Sequence, residues 1–124
     1  MKFQVFCIVM AAALLAACSH APEQTVATLT PTEQQGQTVF KLRCAQCHAL
    51  TPDTTVIGPS LAGIAGRAAT RMEGYDAEAY LEHSILSPKD YLVDGFPDTM
   101  PTNFGRELTS DELSSVVAYL MTLK

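Results

Sequence analysis

The sequence predicts an all-α fold of three main helices, with short helical turns and long loops between them. Three observations carry that expectation. Thr109 and Glu112 form a capping-box pattern with Leu108 and Leu113 placed as a hydrophobic staple, and Leu113, Val116, Val117, Leu120 and Leu123 then recur at helical spacing. A second apolar set, Tyr80, Leu81, Ile85 and Leu86, starts near Asp76 and is stopped by Pro88. A third helix opens the domain: Thr32 can cap it, Gln35 can answer the cap, and Val39 and Phe40 would face inward. Gly36 inside that helix costs about 1 kcal/mol relative to alanine, which a close helix–helix approach would explain; a tolerated surface glycine is the alternative.

The 124 residues allow one domain, and the balance of 8 Lys+Arg against 13 Asp+Glu gives a formal charge of −5. A nucleic-acid partner needs a basic face, so that class is excluded. Apolar residues are concentrated at one end. Residues 1–17 hold 15 of them, every position but Lys2 and Gln4. No later stretch approaches the roughly 18 apolar residues of a transmembrane helix.

That first segment reads as an address. Lys2 is a short positive region, and Phe3 to Ala17 is an apolar run of secretory length. It ends Leu15-Ala16-Ala17-Cys18, which resembles a bacterial lipobox, where small residues fit the peptidase and the thiol accepts a lipid. The expected organisation is a signal peptide over 1–17, a lipidated N-terminus (Cys18) and flexible tether over 18–31, and a domain over 32–124. The tether is rich in Thr, Ala and Pro and shows no periodicity, giving a reach of about 20 Å. The expected location is the periplasmic, extracytoplasmic face of a membrane, held by the lipid.

The chemistry centres on Cys44-Ala45-Gln46-Cys47-His48. C-x-x-C-H is the covalent haem attachment signature. Two thiols must add to two vinyl groups on one side of a porphyrin, and the next residue must turn an imidazole onto the iron. On a helical turn Cys44, Cys47 and His48 project from one face, and His48 becomes the proximal iron ligand. A redox dithiol would follow a strand in a βαβ pattern, and none is present. A zinc site needs a fourth ligand, for which His20 and His83 are poorly placed. A plain Cys44–Cys47 disulfide is the remaining alternative. Cysteine use favours haem: Cys7 leaves with the signal, Cys18 takes lipid, and no thiol is left over.

From Thr32 to Lys124 the sequence resembles the class I cytochromes c. Gly36-x-x-Val39-Phe40-x-x-x-Cys44 is similar to the family's first helix. Gly58-Pro59-Ser60-Leu61-Ala62-Gly63-Ile64-Ala65-Gly66-Arg67 is similar to its G-P-N-L-x-G-x-x-G-R stretch. Tyr80-Leu81, Ser87-Pro88-Lys89-Asp90-Tyr91, Met100-Pro101 and Val116-Val117-Ala118-Tyr119-Leu120 follow in the family's order. The middle segment, Tyr91 to Pro101, resembles most the cytochrome c domains that serve haem–copper oxidases. The resemblance implies the cytochrome c fold, with long loops wrapped around one covalent haem c, and Tyr119 crossing over Gly36 and Phe40. The long stretch from Ser87 to Leu108 fits this, because a porphyrin supplies the core it lacks.

The resemblance also implies a ligand set. Met100, in the loop before the last helix and followed by Pro101, is the expected sixth ligand; a soft, neutral thioether favours ferrous iron. Met72, Met121 and His83 are the rivals. The Pro59 carbonyl is expected to accept from His48 Nδ1–H, Arg67 to approach a haem propionate, and Leu61 and Ile85 to pack on the porphyrin. Tyr75 and Tyr91 could lie near a propionate or cap the pocket. Ser60 replaces the family's Asn, and the family's frequent Trp is absent.

The implied function is electron carriage, iron cycling between ferric and ferrous, with no catalytic residues and no small-molecule substrate. Expected partners are redox proteins: a quinol-oxidising complex or dehydrogenase as donor, a terminal oxidase or reductase as acceptor, with the membrane held through the lipid anchor. The alternatives are a fixed electron-transfer subunit of an oxidase or reductase complex, or an open-site haem with peroxidase-like or gas-sensing activity. Residues 73–98 carry Glu73, Asp76, Glu78, Glu82, Asp90, Asp94 and Asp98 against Lys89 alone, a local balance of −6 that suits either a solvated face or a basic docking partner.

Overall fold

A computed structural model describes residues 28–124; the signal-like segment, Cys18 and His20 lie outside them. Among the described residues five helices follow in order: α1 (Pro31–Arg43), α2 (Ile64–Ala68), α3 (Ala77–Leu86), α4 (Phe104–Glu107) and α5 (Ser110–Leu120). The described residues contain no strand, and none of their helices is long and apolar enough to cross a membrane.

Helix α1 starts earlier than Thr32. Its cap is Thr30, whose hydroxyl accepts from Glu33 N at 3.3 Å, while the Glu33 carboxylate accepts from Thr30 N at 2.6 Å. Thr30–Glu33 prevails over the expected Thr32–Gln35 pair for two reasons. A carboxylate at the positive helix end is a stronger acceptor than an amide, and Pro31 fits the first helical position, where no N–H is required. Leu29, just before the cap, packs against the core. At α5 the expected box is present, with Glu112 N donating to Thr109 Oγ1 at 3.2 Å and Thr109 N to Glu112 Oε2 at 2.9 Å. Those bonds from the Thr109 backbone and side chain hold the Glu112 carboxyl below its ordinary value. Asp76 caps α3, accepting from Ala79 N at 2.8 Å.

Helices α1 and α5 cross as a tight pair, and α3 lies across α5 and against α2 and α4. Gly36 is the crossing point. A Cβ there would fall inside the Ser115 carbonyl and 2.8 Å from Tyr119 Cβ. Phe40 and Tyr119 pack beside it, ring centroids 5.7 Å apart. Val39, Phe40, Tyr80, Leu81, Ile85, Val116, Val117, Tyr119 and Leu120 are all buried, so the three predicted apolar faces turn inward except at Leu86, the last residue of α3, which is exposed.

The stretch from Ser87 to Leu108 holds one element that periodicity did not indicate, the single turn α4. It buries Phe104 and is tied to α1 by an Arg43–Glu107 ion pair at 3.8 Å. The chain end is fastened too: Leu123 O accepts from Ala65 N of α2 at 3.1 Å.

Candidate functional site

Helical winding continues past Arg43. Cys44 O accepts from Cys47 N at 3.0 Å and from His48 N at 2.9 Å. The side chains of Cys44, Cys47 and His48 therefore leave one face of one turn, and all three line a cavity of about 420 Å³. Cofactor sites span about 300–1,000 Å³. Every helix lends it a wall: Leu42, Ile64, Ile85, Phe104 and Leu120 are among the lining residues.

The orientation of His48 is set from two sides. Its Nδ1 lies 2.8 Å from Pro59 O. A carbonyl oxygen only accepts, so Nδ1 carries the proton and the Nε2 lone pair is left for a metal. Gly58 supports the ring from below. A Cβ at Gly58 would sit 2.5 Å from His48 Cε1 and 2.9 Å from Nδ1, so only glycine lets the backbone approach the imidazole this closely. Gly58 itself is placed by its N–H donating to Cys47 O at 2.9 Å. Gly58→Ala is expected to displace the ring, break its bond to Pro59 and cost about 1–3 kcal/mol. Thermal unfolding and the NMR resonance of the His48 ring N–H measure both.

Cys44 and Cys47 are not joined as a disulfide. Burial, with Cys47 adding to it, pushes the Cys44 thiol up to about 11. A redox dithiol requires the opposite shift. Among the described residues no three of His, Cys, Asp and Glu cluster as a metal-holding set.

Of the methionines in the described residues, Met100 lines the cavity, whereas Met72 and Met121 pack against the core. Leu61, partly buried, and Ile85, buried, also line it. Arg67 borders the cavity, but its guanidinium is engaged with the backbone: Nη2 donates to Ser60 O at 2.6 Å and Nη1 to Ala62 O. Burial, then the neighbouring Arg71, lowers its pKa from the ordinary arginine value. Ser60 holds the same turn, donating to Thr51 O at 2.7 Å and accepting from Ala62 N at 3.2 Å.

The two tyrosines part company. Tyr91 lines the cavity, edge-on to Tyr80 at 5.7 Å. Tyr75 does not; it faces His83, ring centroids 5.1 Å apart. His83 Nε2 in turn meets Asp90 Oδ2 at 2.9 Å, so this histidine bridges α3 to the following loop and is neither a ligand nor a bare surface group. Sequence reasoning also missed Ser84 on the cavity wall, whose buried hydroxyl has no partner among the described residues. Its position one residue before Ile85 on α3 was the only signal.

The donor set fits haem. Two thiols sit one turn apart, an imidazole presents a free Nε2, a thioether shares the same cavity, and the walls are largely apolar. An all-helical domain built around that set is a haem-binding redox protein. The family model "Cytochrome c" matches residues 33–124. A cytochrome c of Gibberella zeae is 46% identical over 100 residues, covering 70% of this chain and 90% of that protein. Cytochrome c type-1 of Ascaris suum is 31% identical over 100 residues, covering 70% and 84%. Cytochrome c2 iso-2 of Magnetospirillum molischianum is 28% identical over 88 residues, covering 65% and 91%. The chain belongs to the cytochrome c family. It is an electron carrier and not an enzyme, and its cofactor is covalent haem c.

Proposed function

We propose that this protein is a membrane-tethered monohaem cytochrome c that shuttles single electrons in a respiratory chain. In this reading Cys44 and Cys47 are the residues that would carry the thioethers, and His48 Nε2 and the Met100 sulfur would hold the iron. The observation that carries it is the convergence of those four side chains on one cavity, with His48 locked by Pro59. When bound, haem supplies a one-electron ferric/ferrous couple. The chain supplies the rest. Cys44 and Cys47 would hold the porphyrin through thioether bonds, each made by addition of the thiol to a vinyl group with no leaving group. Pro59 fixes the imidazole tautomer. Met100 would supply a second ligand to the iron, and Leu61, Ile64 and Ile85, which line the cavity, would keep water from it.

The tether rests on the lipobox-like end at Cys18 and the signal-like segment before it. Donor and acceptor are redox complexes of the same membrane, a quinol-oxidising complex or dehydrogenase and a terminal oxidase or reductase. The loop from Tyr91 to Pro101, similar to oxidase-serving domains, supports the acceptor.

Leu42, Ile57 and Leu92 line the cavity and are about half or more exposed, which gives its mouth an apolar rim. Of the seven acidic side chains in residues 73–98, three are held in local bonds. Asp90 pairs with His83, Asp98 with Lys89 at 3.1 Å, and Asp76 caps α3. Glu73, Glu78, Glu82 and Asp94 make no ion pair among the described residues and remain to steer a basic partner.

Protein purified from membranes tests the proposal. Its mass should equal the chain from Cys18 onward plus lipid and one haem, and the colour should survive denaturation in wild type but not in Cys44→Ser/Cys47→Ser. Two freely titrating thiols overturn the attachment. Electron exchange with a cationic partner should slow as salt rises; a flat or rising dependence removes the acidic docking face.

A further inference from the structure

The segment Pro59–Ala62 is the backbone that aims the proximal histidine's hydrogen bond, and Arg67 holds it from behind. The left-handed φ of +65° at Gly63 turns the chain into α2 directly after Ala62. That turn brings Arg67 back over the residues just passed. Its two terminal nitrogens straddle Leu61, one on Ser60 O at 2.6 Å and the other on Ala62 O. Leu61 N is tied on the opposite side to Ala49 O at 2.8 Å. The Ser60 backbone joins two peptide units. One presents the Pro59 carbonyl to His48, and the other presents the Ser60 carbonyl to Arg67. Fixing the second restrains the first. No carboxylate forms an ion pair with Arg67 among the described residues, so in this part-buried place its charge is satisfied by peptide carbonyls.

We infer that Arg67 is a positioning residue for the proximal ligand: its guanidinium fork holds the Ser60 peptide, and through it the strength of the Pro59–His48 hydrogen bond. The inference rests on the proposed reading of His48 as an iron ligand. It differs from a purely electrostatic role of the same arginine in sign. A firm Nδ1–H donation makes the imidazole a richer donor and favours ferric iron, so loosening it raises the reduction potential. Removing a positive charge beside the cavity would lower it.

Arg67→Lys separates the two effects, because lysine keeps the charge and loses the planar fork. In the holoprotein, NMR exchange of the His48 Nδ1 proton should accelerate about tenfold or more, and the potential should rise. Unchanged exchange, or a potential that stays or falls, overturns the brace. Should Arg67→Lys fail to fold, Arg67→Gln, a shorter side chain with a single amide nitrogen in place of the two-nitrogen fork, must still show faster exchange; wild-type protection there overturns it equally. The underlying reading fails differently. Wild-type holoprotein without iron-shifted His48 ring resonances would refute His48 ligation, whatever the variants do.

Discussion

Gly36→Ala should destabilise the domain by about 3 kcal/mol or more, at the upper end for overpacking, despite a gain of about 1 kcal/mol in helix propensity. The obstacle is backbone, not a side chain that can turn away. The added methyl would fall inside the Ser115 carbonyl, and Tyr119 Cβ stands 2.8 Å off on the other side. Relief requires α1 and α5 to move apart. Such a shift would loosen the Phe40–Tyr119 packing and the buried Val39, Val116 and Leu120 together. At roughly 4–8 °C per kcal/mol for a domain of this size, the melting temperature should fall by well over 10 °C. Calorimetry of the holoprotein measures it; a change within about 1 kcal/mol would show that the helices do not approach this closely.

Met100→Ala should abolish the near-infrared sulfur–iron absorption band and lower the reduction potential by on the order of 0.1 V or more, within the ~0.8 V that axial ligands command. The thioether is a soft, neutral ligand that stabilises ferrous iron. Met100 is the methionine of the described residues that borders the cavity, so Met72 and Met121 cannot replace it without unpacking from the core. The variant should also bind small external ligands that the wild type excludes. A wild-type protein without the band, binding such ligands freely, would instead mark an open-site haem.

The sequence was most legible where chemistry dictates spacing. Cys44, Cys47 and His48 could be placed on one face because only one turn satisfies two thiols and an imidazole, and the structure puts all three on one cavity. Gly36 was legible because a glycine in a helix is costly unless something lies against it, and Ser115 does. The cap of α1 was harder. Thr30 and Thr32 each have a suitable partner three residues on, and a carboxylate with Pro31 decided for Thr30. The resemblance implied a propionate contact for Arg67, and nothing in a linear pattern reveals that its fork meets two backbone carbonyls. The pairing of Tyr75, His83 and Asp90 and the turn α4 are tertiary outcomes, with no period to announce them.

The junction at Gly36 and Ser115 has a topological consequence. It clasps the two ends of the domain, so nearly everything from Cys44 to Leu108 hangs from it as one closed circuit. Six of the twelve buried apolar side chains, Val39, Phe40, Val116, Val117, Tyr119 and Leu120, belong to the two clasped helices, so a segment of that circuit can open and reclose while the clasp keeps its own core. The molecule is thus divided into a fastener and a purse: excursions of the purse alter access to the redox centre, while the fastener sets how long the fold survives.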